Sequence, residues 1–368
     1  MTAPVMIMAG GTGGHIFPAL AVADCLRQRD VPVIWLGSKG GMENRLVPAA
    51  GFHLVALSVK GLRGKGVLAL AFAPFKLLWS VTQALAALLR YRPQAVLGLG
   101  GFASGPGGLA AWLLRRPLYI HEQNAIPGMT NRWLSRLSRG VMEAFPGSFR
   151  HISTHAPVLH VGNPVRESIV RIADASVRLV GRSGPIRIFV MGGSLGALKL
   201  NEVVPQAVSG LAAEVKVWHQ TGERHLDTTH SHYAEAGVDA RIDAFIDDMA
   251  EAYAWADLVV ARAGALTVSE LIQVGVAAIL VPYPHAVDDH QTANADVLVN
   301  TGAAVLMADK ELATSTLQHM LANLTADRST LMEMSCAAAG LKRPEAAQVV
   351  AEICLGERDV THSAEVSV

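Results

Sequence analysis

The chain has 368 residues, 51% of them apolar and 17% charged, with 31 basic and 31 acidic side chains and a formal net charge of zero. That length accommodates two ordinary domains with sizeable cores, and the balanced charge argues against a dedicated nucleic-acid binder. The scattered cysteines Cys25, Cys336 and Cys354 form no CxxC or Cys/His cluster, which argues against structural zinc and for a reducing compartment, and the N-terminus shows no signal-peptide pattern.

The apolar run at 4–9 leads straight into Gly10-Gly11-Thr12-Gly13-Gly14-His15. This reads as strand, glycine turn and helix start, a unit that aims backbone N–H groups and a helix's positive end at a phosphate. His15 stands where the helix begins. There the positive end disfavours the imidazolium and suits a neutral base; the other reading is a residue that only caps or packs the turn. A helix is expected over 18–29 and strands over 31–36 and 53–57. No acidic residue ends the strand at 31–36 and the glycine spacing is not Gly-x-Gly-x-x-Gly, which disfavours a dinucleotide oxidoreductase.

Residues 67–89 are apolar and approach the length of a membrane span, but Pro74, Lys76 and Gln83 interrupt them. Arg63, Lys65, Lys76, Arg90 and Arg92 surround the stretch. Phe72, Phe75 and Trp79, with Trp112 and Arg115-Arg116 beside them, read either as parts of ordinary buried helices or as an apolar face with a positive rim that docks on one leaflet. A strand at 95–99 then enters a second glycine cluster, with Gly100, Gly101, Gly105, Gly107 and Gly108 within nine positions. It is either a tight packing turn or a second anion-accepting surface, and so many glycines favour the surface.

Helices at 107–114 and 130–137 flank a strand at 118–121 that ends in His121-Glu122-Gln123-Asn124, a polar run at the ligand-binding edge of such a sheet or a set of turn caps. After a strand at 158–161, Gly162-Asn163-Pro164 signals a turn. Arg166 either clamps a ligand or pairs with Glu167. The composition shift between Asn163 and Pro185 divides the chain into 1–163, 164–340 and a C-terminal segment, 341–368.

The second half repeats the plan. The strand at 186–191 enters Gly192-Gly193-Ser194-Leu195-Gly196-Ala197, where Ser194 either holds a diphosphate or caps the next helix. Strands are expected at 215–219, 258–260, 277–281 and 303–306, and helices at 198–209, 249–255, 267–274 and 291–300. Thr267-x-x-Glu270 reads as a capping box, or Glu270 accepts hydrogen bonds from a ribose. Asp288-Asp289-His290-Gln291 is a ligand edge or a solvated loop. No Asp-x-Asp occurs, and Asp247-Asp248 and Asp288-Asp289 read as solvated turns, so neither metal nor another cofactor is expected. Residues 310–355 read as helical, with a terminal helix able to pack back on the first domain, and 356–368 as a frayed polar tail. Two glycine loops heading two halves point to two Rossmann-like domains facing a shared cleft.

Taken together, Gly-Gly-Thr-Gly-Gly-His from Gly10, Gly-Gly-Phe-Ala-Ser-Gly-Pro from Gly100, His-Glu-Gln-Asn from His121, Gly-Asn-Pro-Val-Arg from Gly162, Gly-Gly-Ser-Leu-Gly-Ala from Gly192, Arg-Ala-Gly-Ala-Leu-Thr-Val-Ser-Glu from Arg262 and Asp-His-Gln-Thr-Ala-Asn-Ala from Asp289 resemble the MurG family. These are bacterial transferases that move N-acetylglucosamine from its UDP ester to undecaprenyl-diphospho-N-acetylmuramoyl-pentapeptide. The resemblance covers about residues 5–340. It implies an α/β GT-B fold, two Rossmann-like domains separated by a deep cleft. It implies inverting transfer from UDP-N-acetylglucosamine to the 4-hydroxyl of the muramoyl sugar of lipid I, giving lipid II for peptidoglycan. Carried over by position, Thr12, Gly13, Gly14, Asn124, Arg166, Ser194, Ile246, Ala265, Leu266, Thr267, Val268, Ser269, Glu270 and Gln291 bind the donor, with Glu270 on the ribose. Gly11, Gly101, Ser104 and Gly105 receive the acceptor diphosphate. His15 is the implied base and Glu122 its rival.

The implied partners are UDP-N-acetylglucosamine, lipid I, an anionic membrane surface and cell-wall assembly proteins. The implied location is peripheral, on the cytoplasmic face of the inner membrane. Ala263 departs from a serine often seen before this glycine, and the last dozen or so residues lie outside the pattern. A UDP-N-acetylglucosamine 2-epimerase shares the plan and the donor but needs no basic-rimmed apolar surface. A non-catalytic sugar-nucleotide-binding subunit would bind without turnover.

Overall fold

The computed structural model describes residues 2–59, 73–193 and 196–360. The chain divides into two compact units, Met1–Arg166 with Arg343–Val368, and Glu167–Lys342.

The first unit is built on β1 (Val5–Met8), β2 (Val33–Ser38), β3 (His53–Leu57), β4 (Ala95–Gly98), β5 (Leu118–Glu122), β6 (Gly140–Glu143) and β7 (Val158–His160). They pair in parallel in the order β3-β2-β1-β4-β5-β6-β7. Every residue of β1 is fully buried, as a strand covered on both faces by crossover helices must be. One face packs Ile16, Ala19, Val22, Ala23 and Leu26 of the helix Gly13–Gln28 against Val5 and Ile7. The other gathers Met6, Met8, Val96 and Ile120 with Ala84 and Leu88 of the helix Ala73–Tyr91. The helix Ala346–Leu355 belongs to this unit, packs on Gly13–Gln28 and places Val350, Ala351, Ile353 and Cys354 in its core. Val360, expected in a frayed tail, is buried, and Gly140 is the residue that leaves room for it. Residues 361–368 lie outside the described part.

The second unit is built on β8 (Ile186–Met191), β9 (Val215–Gln220), β10 (Ala240–Asp243), β11 (Leu258–Ala261), β12 (Ala277–Leu280) and β13 (Ala304–Leu306), all parallel, in the order β10-β9-β8-β11-β12-β13. Its core draws on Ile188, Val190, Leu258, Val260 and Ile279 with Leu200 and Val204 of the helix Leu198–Ser209. A buried carboxylate ties its far end together. Asp257 accepts from Arg182 and Arg328, each at 2.8 Å, and from the Arg187 N–H at 3.0 Å. Arg178 and Arg182 also donate to the last carbonyls of the helix Met249–Trp255, at Ala254, Trp255 and Ala256, where cations offset its negative end.

The structure shifts several expected boundaries. The first helix starts at Gly13 and carries Pro18 inside it, and β2 runs to Ser38. β6 and β10 carry no strand signal of their own. β6 begins with glycine and ends in glutamate, and β10 alternates charged with apolar residues, so neither is a continuous apolar run and pairing with a neighbour defines them.

Candidate functional site

In each sheet the strand order reverses once, between β1 and β4 and between β8 and β11. Open parallel sheets bind ligands at the carboxyl ends of the strands flanking that reversal. Each of the four glycine-bearing segments follows one of these strands.

In the first unit the Gly10–Gly14 and Gly100–Gly105 loops meet. A Cβ on Gly101 would lie 2.5 Å from the Gly10 carbonyl oxygen, and Gly101 has φ +87, so only glycine fits. Below them lies the fully buried Glu43, accepting from the Gly11 N–H at 3.1 Å, the Ser38 N–H at 2.8 Å and the Ser38 hydroxyl at 2.6 Å. Desolvation pushes the Glu43 carboxyl up, but the hydrogen bonds from Ser38 and Gly11 outweigh it and hold the pKa below the usual carboxylate range. The expectation that Gly11 and Ser104 receive a diphosphate therefore needs correction. The Gly11 N–H is engaged by a carboxylate. Ser104 is fully buried, with its hydroxyl on the carbonyls of Met8 and Gly100. Gly101 and Gly105 are half-buried at the loop surface.

His15 is the third residue of the helix Gly13–Gln28 and is half-buried. Its Nδ1 lies 2.8 Å from Oε1 of Gln123. The Gln123 amide nitrogen lies 3.0 Å from both the His121 carbonyl oxygen and His121 Nδ1, and His121 Nε2 lies 2.9 Å from the Gly162 carbonyl oxygen. Burial pushes the His121 pKa down to about 4, so the ring is neutral at neutral pH.

Glu122 is not placed as a base. It is buried, and its carboxylate accepts from the N–H groups of Asn124 and Gly128 and from the side-chain amides of Asn124 and Asn131. It orders the loop that presents Asn124, which is half-buried. Arg166 lies with its guanidinium 5.0 Å from the centre of the Phe17 ring, and Glu167 pairs with Arg171.

In the second unit the loop after β8 is fastened to the end of β9. The Gly192 N–H donates to the Gln220 carbonyl at 3.1 Å, and Gly196, with φ +77, passes too close to the Thr221 carbonyl for any side chain. Ser194 lies outside the described residues. After β11 the helix Ala265–Val274 starts with Gly264 as its N-cap. This corrects the capping-box reading, because Thr267 is the third helical residue and Glu270 lies a turn further in. Glu270 is buried and accepts from the Tyr253 hydroxyl at 3.0 Å. Ile246 and Val268 are buried, and Ser269 turns its hydroxyl back onto the Ala265 carbonyl at 2.8 Å. Leu266 and Thr267 are half-exposed in the first turn, where N–H groups have no intrahelical partner. Gln291 accepts from the Tyr283 N–H at 2.9 Å through Oε1, and Asn294 is buried against the Ala263 carbonyl.

Sequence reading missed Tyr253 and Glu43. Tyr253 lies in an apolar helical run whose period explains it as core. Glu43 sits in a polar segment with no motif, and only its burial under the glycine loop reveals it.

The first unit also exposes large apolar side chains on neighbouring helices. Phe75 (70% exposed), Leu78 and Trp79 (61%) stand on Ala73–Tyr91, Trp112 and Leu113 on Ser104–Leu113, and Met129 and Trp133 on Met129–Leu134. The first of these helices packs on the second and the second on the third. Lys76, Arg90, Arg92, Arg115 and Arg136 are exposed on the same helices or just after them. Arg63, Lys65 and Phe72 lie outside the described residues. Among the described residues no helix is long and apolar enough to cross a membrane.

Residues 5–143 match the glycosyltransferase family 28 N-terminal domain, and residues 187–350 match the glycosyltransferase family 28 C-terminal domain. A protein of Nitrosococcus oceani is 56% identical over 96% of this chain and 99% of its own. One of Alkalilimnicola ehrlichii is 54% identical over 97% and 99%. Both carry the name UDP-N-acetylglucosamine–N-acetylmuramyl-(pentapeptide) pyrophosphoryl-undecaprenol N-acetylglucosamine transferase. The crystal structure of Acinetobacter baumannii MurG superposes with a TM-score of 0.81 at 40% identity, over 96% of this chain and 99% of that one. A UDP-N-acetylglucosamine 2-epimerase of Listeria monocytogenes described as putative shares the fold at 11% identity and a TM-score of 0.67, over 99% of both chains.

Proposed function

The chain belongs to glycosyltransferase family 28, with two parallel-sheet α/β domains of the GT-B class, and we infer that it transfers N-acetylglucosamine from its UDP ester to lipid I, giving lipid II for peptidoglycan. The observation that carries this reading is the 56% identity over 96% of the chain to a transferase named for that reaction. The epimerase likeness, at 11% identity, extends to the fold alone.

The residues supply a chemistry for it. His15 is the base. Its Nε2 takes the proton of the muramoyl 4-hydroxyl, whose oxygen forms a bond to the anomeric carbon as the bond from that carbon to UDP breaks and its electron pair leaves with UDP. Attack opposite the leaving group inverts the centre and gives a β-1,4 link. The developing charge on UDP is met by helix N-termini and loop N–H groups, an arrangement that favours anions.

Proposed donor contacts on the second unit are Ser194, Ile246, Gln291 and the segment Ala265, Leu266, Thr267, Val268, Ser269 and Glu270. In that segment the backbone lines the uracil and Glu270, oriented by Tyr253, accepts from the ribose. Those on the first unit are Thr12, Gly13, Gly14, Asn124 and Arg166. Gly101 and Gly105, both half-buried, are the proposed acceptor-diphosphate contacts. The exposed Phe75, Trp79, Trp112 and Trp133, with arginines among them, suit docking on an anionic leaflet. On this reading the enzyme works peripherally, at the cytoplasmic face of the inner membrane, where a lipid-anchored acceptor and cell-wall assembly proteins would meet it.

The test mixes purified protein with labelled UDP-N-acetylglucosamine and a short-chain lipid I analogue, and follows UDP and labelled lipid. Acceptor-dependent product supports the transferase. Epimerised UDP-sugar without acceptor, or binding with no conversion, overturns it.

A further inference from the structure

A neutral imidazole is a base only at the ring nitrogen that lacks the proton, and the hydrogen bond at the other nitrogen decides which one that is. For His15 the deciding partner is Gln123, through the 2.8 Å contact between Nδ1 and Oε1. An amide can present either end, so the contact alone does not fix a tautomer. What fixes it is the far side of the amide. The other end of Gln123 faces the His121 carbonyl oxygen at 3.0 Å, and a carbonyl can only accept, so the NH2 group lies there and Oε1 faces His15. The same NH2 lies 3.0 Å from His121 Nδ1. That nitrogen is an acceptor because the ring's single proton sits on Nε2, bonded to the Gly162 carbonyl at 2.9 Å. The pKa of about 4 that burial gives His121 keeps it singly protonated at neutral pH, so the chain keeps its polarity.

We propose that Gln123 and His121 are positioning residues that hold His15 in the Nδ1–H tautomer, with its lone pair on Nε2 directed at the reacting hydroxyl. The direction runs from two backbone carbonyls, of His121 and Gly162, through His121 and Gln123 to His15, and every donor in it faces an acceptor. Among the described residues no hydrogen bond is made to His15 Nε2. Gly100, with φ +110, keeps the space beside the ring open, since a Cβ there would come within 2.9 Å of the imidazole. When Nε2 takes the hydroxyl proton, both ring nitrogens carry hydrogen. The Nδ1–H bond to Oε1 is kept, so the base gains its proton without rearranging its support.

This inference rests on His15 being the base of the proposed transfer, and its test separates the two. Full-length protein labelled with nitrogen-15 at histidine is examined by long-range proton–nitrogen correlation, with His15 identified by its loss in His15→Gln. The wild type should show His15 as Nδ1–H, and an Nε2–H ring in the wild type overturns the proposal without any further variant. Gln123→Met removes the acceptor while keeping the length. It should release the ring from Nδ1–H and lower kcat about tenfold to a hundredfold, within what a positioned base contributes, while KM for UDP-N-acetylglucosamine stays near wild type. Gln123→Glu still offers an oxygen to Nδ1 and should restore the tautomer and part of kcat. Unchanged His15 signals in Gln123→Met, or a loss confined to KM, overturn the relay. Failure of the wild type to transfer sugar overturns the functional reading instead, and leaves the tautomer to be judged by the spectra.

Discussion

The backbone N–H of Gly11 donates to the buried Glu43 carboxylate at 3.1 Å, so the underside of the first glycine loop already holds an anion. Glu43 also accepts from the Ser38 N–H and hydroxyl, and so ties the loop after β1 to the end of β2. Glu43→Ala leaves those donors buried without a partner, at about 1–3 kcal/mol each. Urea unfolding should show that loss, and transfer should fall as the loop carrying His15 loosens. If both midpoint and rate are unchanged, Glu43 does not organise the loop.

Glu270 and Tyr253 form the corresponding pair in the second unit. A hydrogen bond to a charged group contributes about 1.5–3 kcal/mol, so Glu270→Ala should weaken UDP-sugar binding about tenfold to a hundredfold and leave acceptor KM near normal. Tyr253→Phe should weaken it less, in the same direction. Titration calorimetry with UDP checks both. Equal loss of donor and acceptor binding would falsify the ribose assignment.

Phe75 and Trp79 are 70% and 61% exposed. Burying such a side chain contributes about 1.5–3 kcal/mol, so Phe75→Ser and Trp79→Ser should each reduce binding to phosphatidylglycerol vesicles roughly tenfold. Transfer to a short-chain soluble acceptor should stay the same. Added salt should weaken vesicle binding further. Vesicle affinity indifferent to both substitutions would place the docking surface elsewhere.

Asp257, with a side chain 2% exposed, holds Arg182 and Arg328 together. Breaking a buried pair by removing one partner costs about 3–5 kcal/mol. Asp257→Ala should lower the stability of the second unit by that order in urea. Urea stability equal to wild type would mean that the arginines find other acceptors, such as the carbonyls Arg182 already contacts.

Each unit buries a neutral histidine. Burial pushes His121 down to about 4 and His219 down to about 3, against about 6.5 in an unfolded chain. Between the folded and unfolded values the unfolded state binds more protons, so stability rises with pH. The contribution is fully present above about pH 6.5. On acidification it is lost at about 1.4 kcal/mol per unit for each histidine, down to about pH 4 for His121 and about pH 3 for His219. Urea midpoints at pH 7.5 and pH 5 measure the loss, and His219→Gln should flatten the slope of the second unit. A midpoint that does not fall with pH would contradict the burial of these rings as neutral groups.

Much of the fold is legible along the chain because parallel sheets repeat a local pattern. β1, β8 and β11 are apolar runs ending at glycine or arginine–glycine signals, and the helices Leu198–Ser209 and Met249–Trp255 follow from apolar periodicity. β6 (Gly-Val-Met-Glu) and β10 (Ala-Arg-Ile-Asp) are not legible, because glycine and charged residues break the apolar run that marks β1 and β11, and the neighbouring strand defines them. Glu270 reads locally as a cap because Thr267 precedes it by three. The helix starts earlier, at Gly264, where glycine supplies the extended turn. Ser104 and Glu122 have polar side chains at the right edge of the sheet. Whether a polar group faces outward or completes a buried network depends on partners far along the chain.

The sequence by itself determined the alternation of strands and helices, the two glycine-headed halves and the ordered motifs that mark the family, since these are properties of neighbouring residues. Tertiary structure alone decided which polar groups remain outward-facing. It set Glu43 against Gly11, closed Ser104 and Glu122 into buried hydrogen bonds, and brought His121, Gln123 and the Gly162 carbonyl behind His15. The physical reason is that a hydrogen bond in a packed interior depends on distance and direction in space, and buried donors and acceptors are satisfied by whichever groups the sheet places beside them.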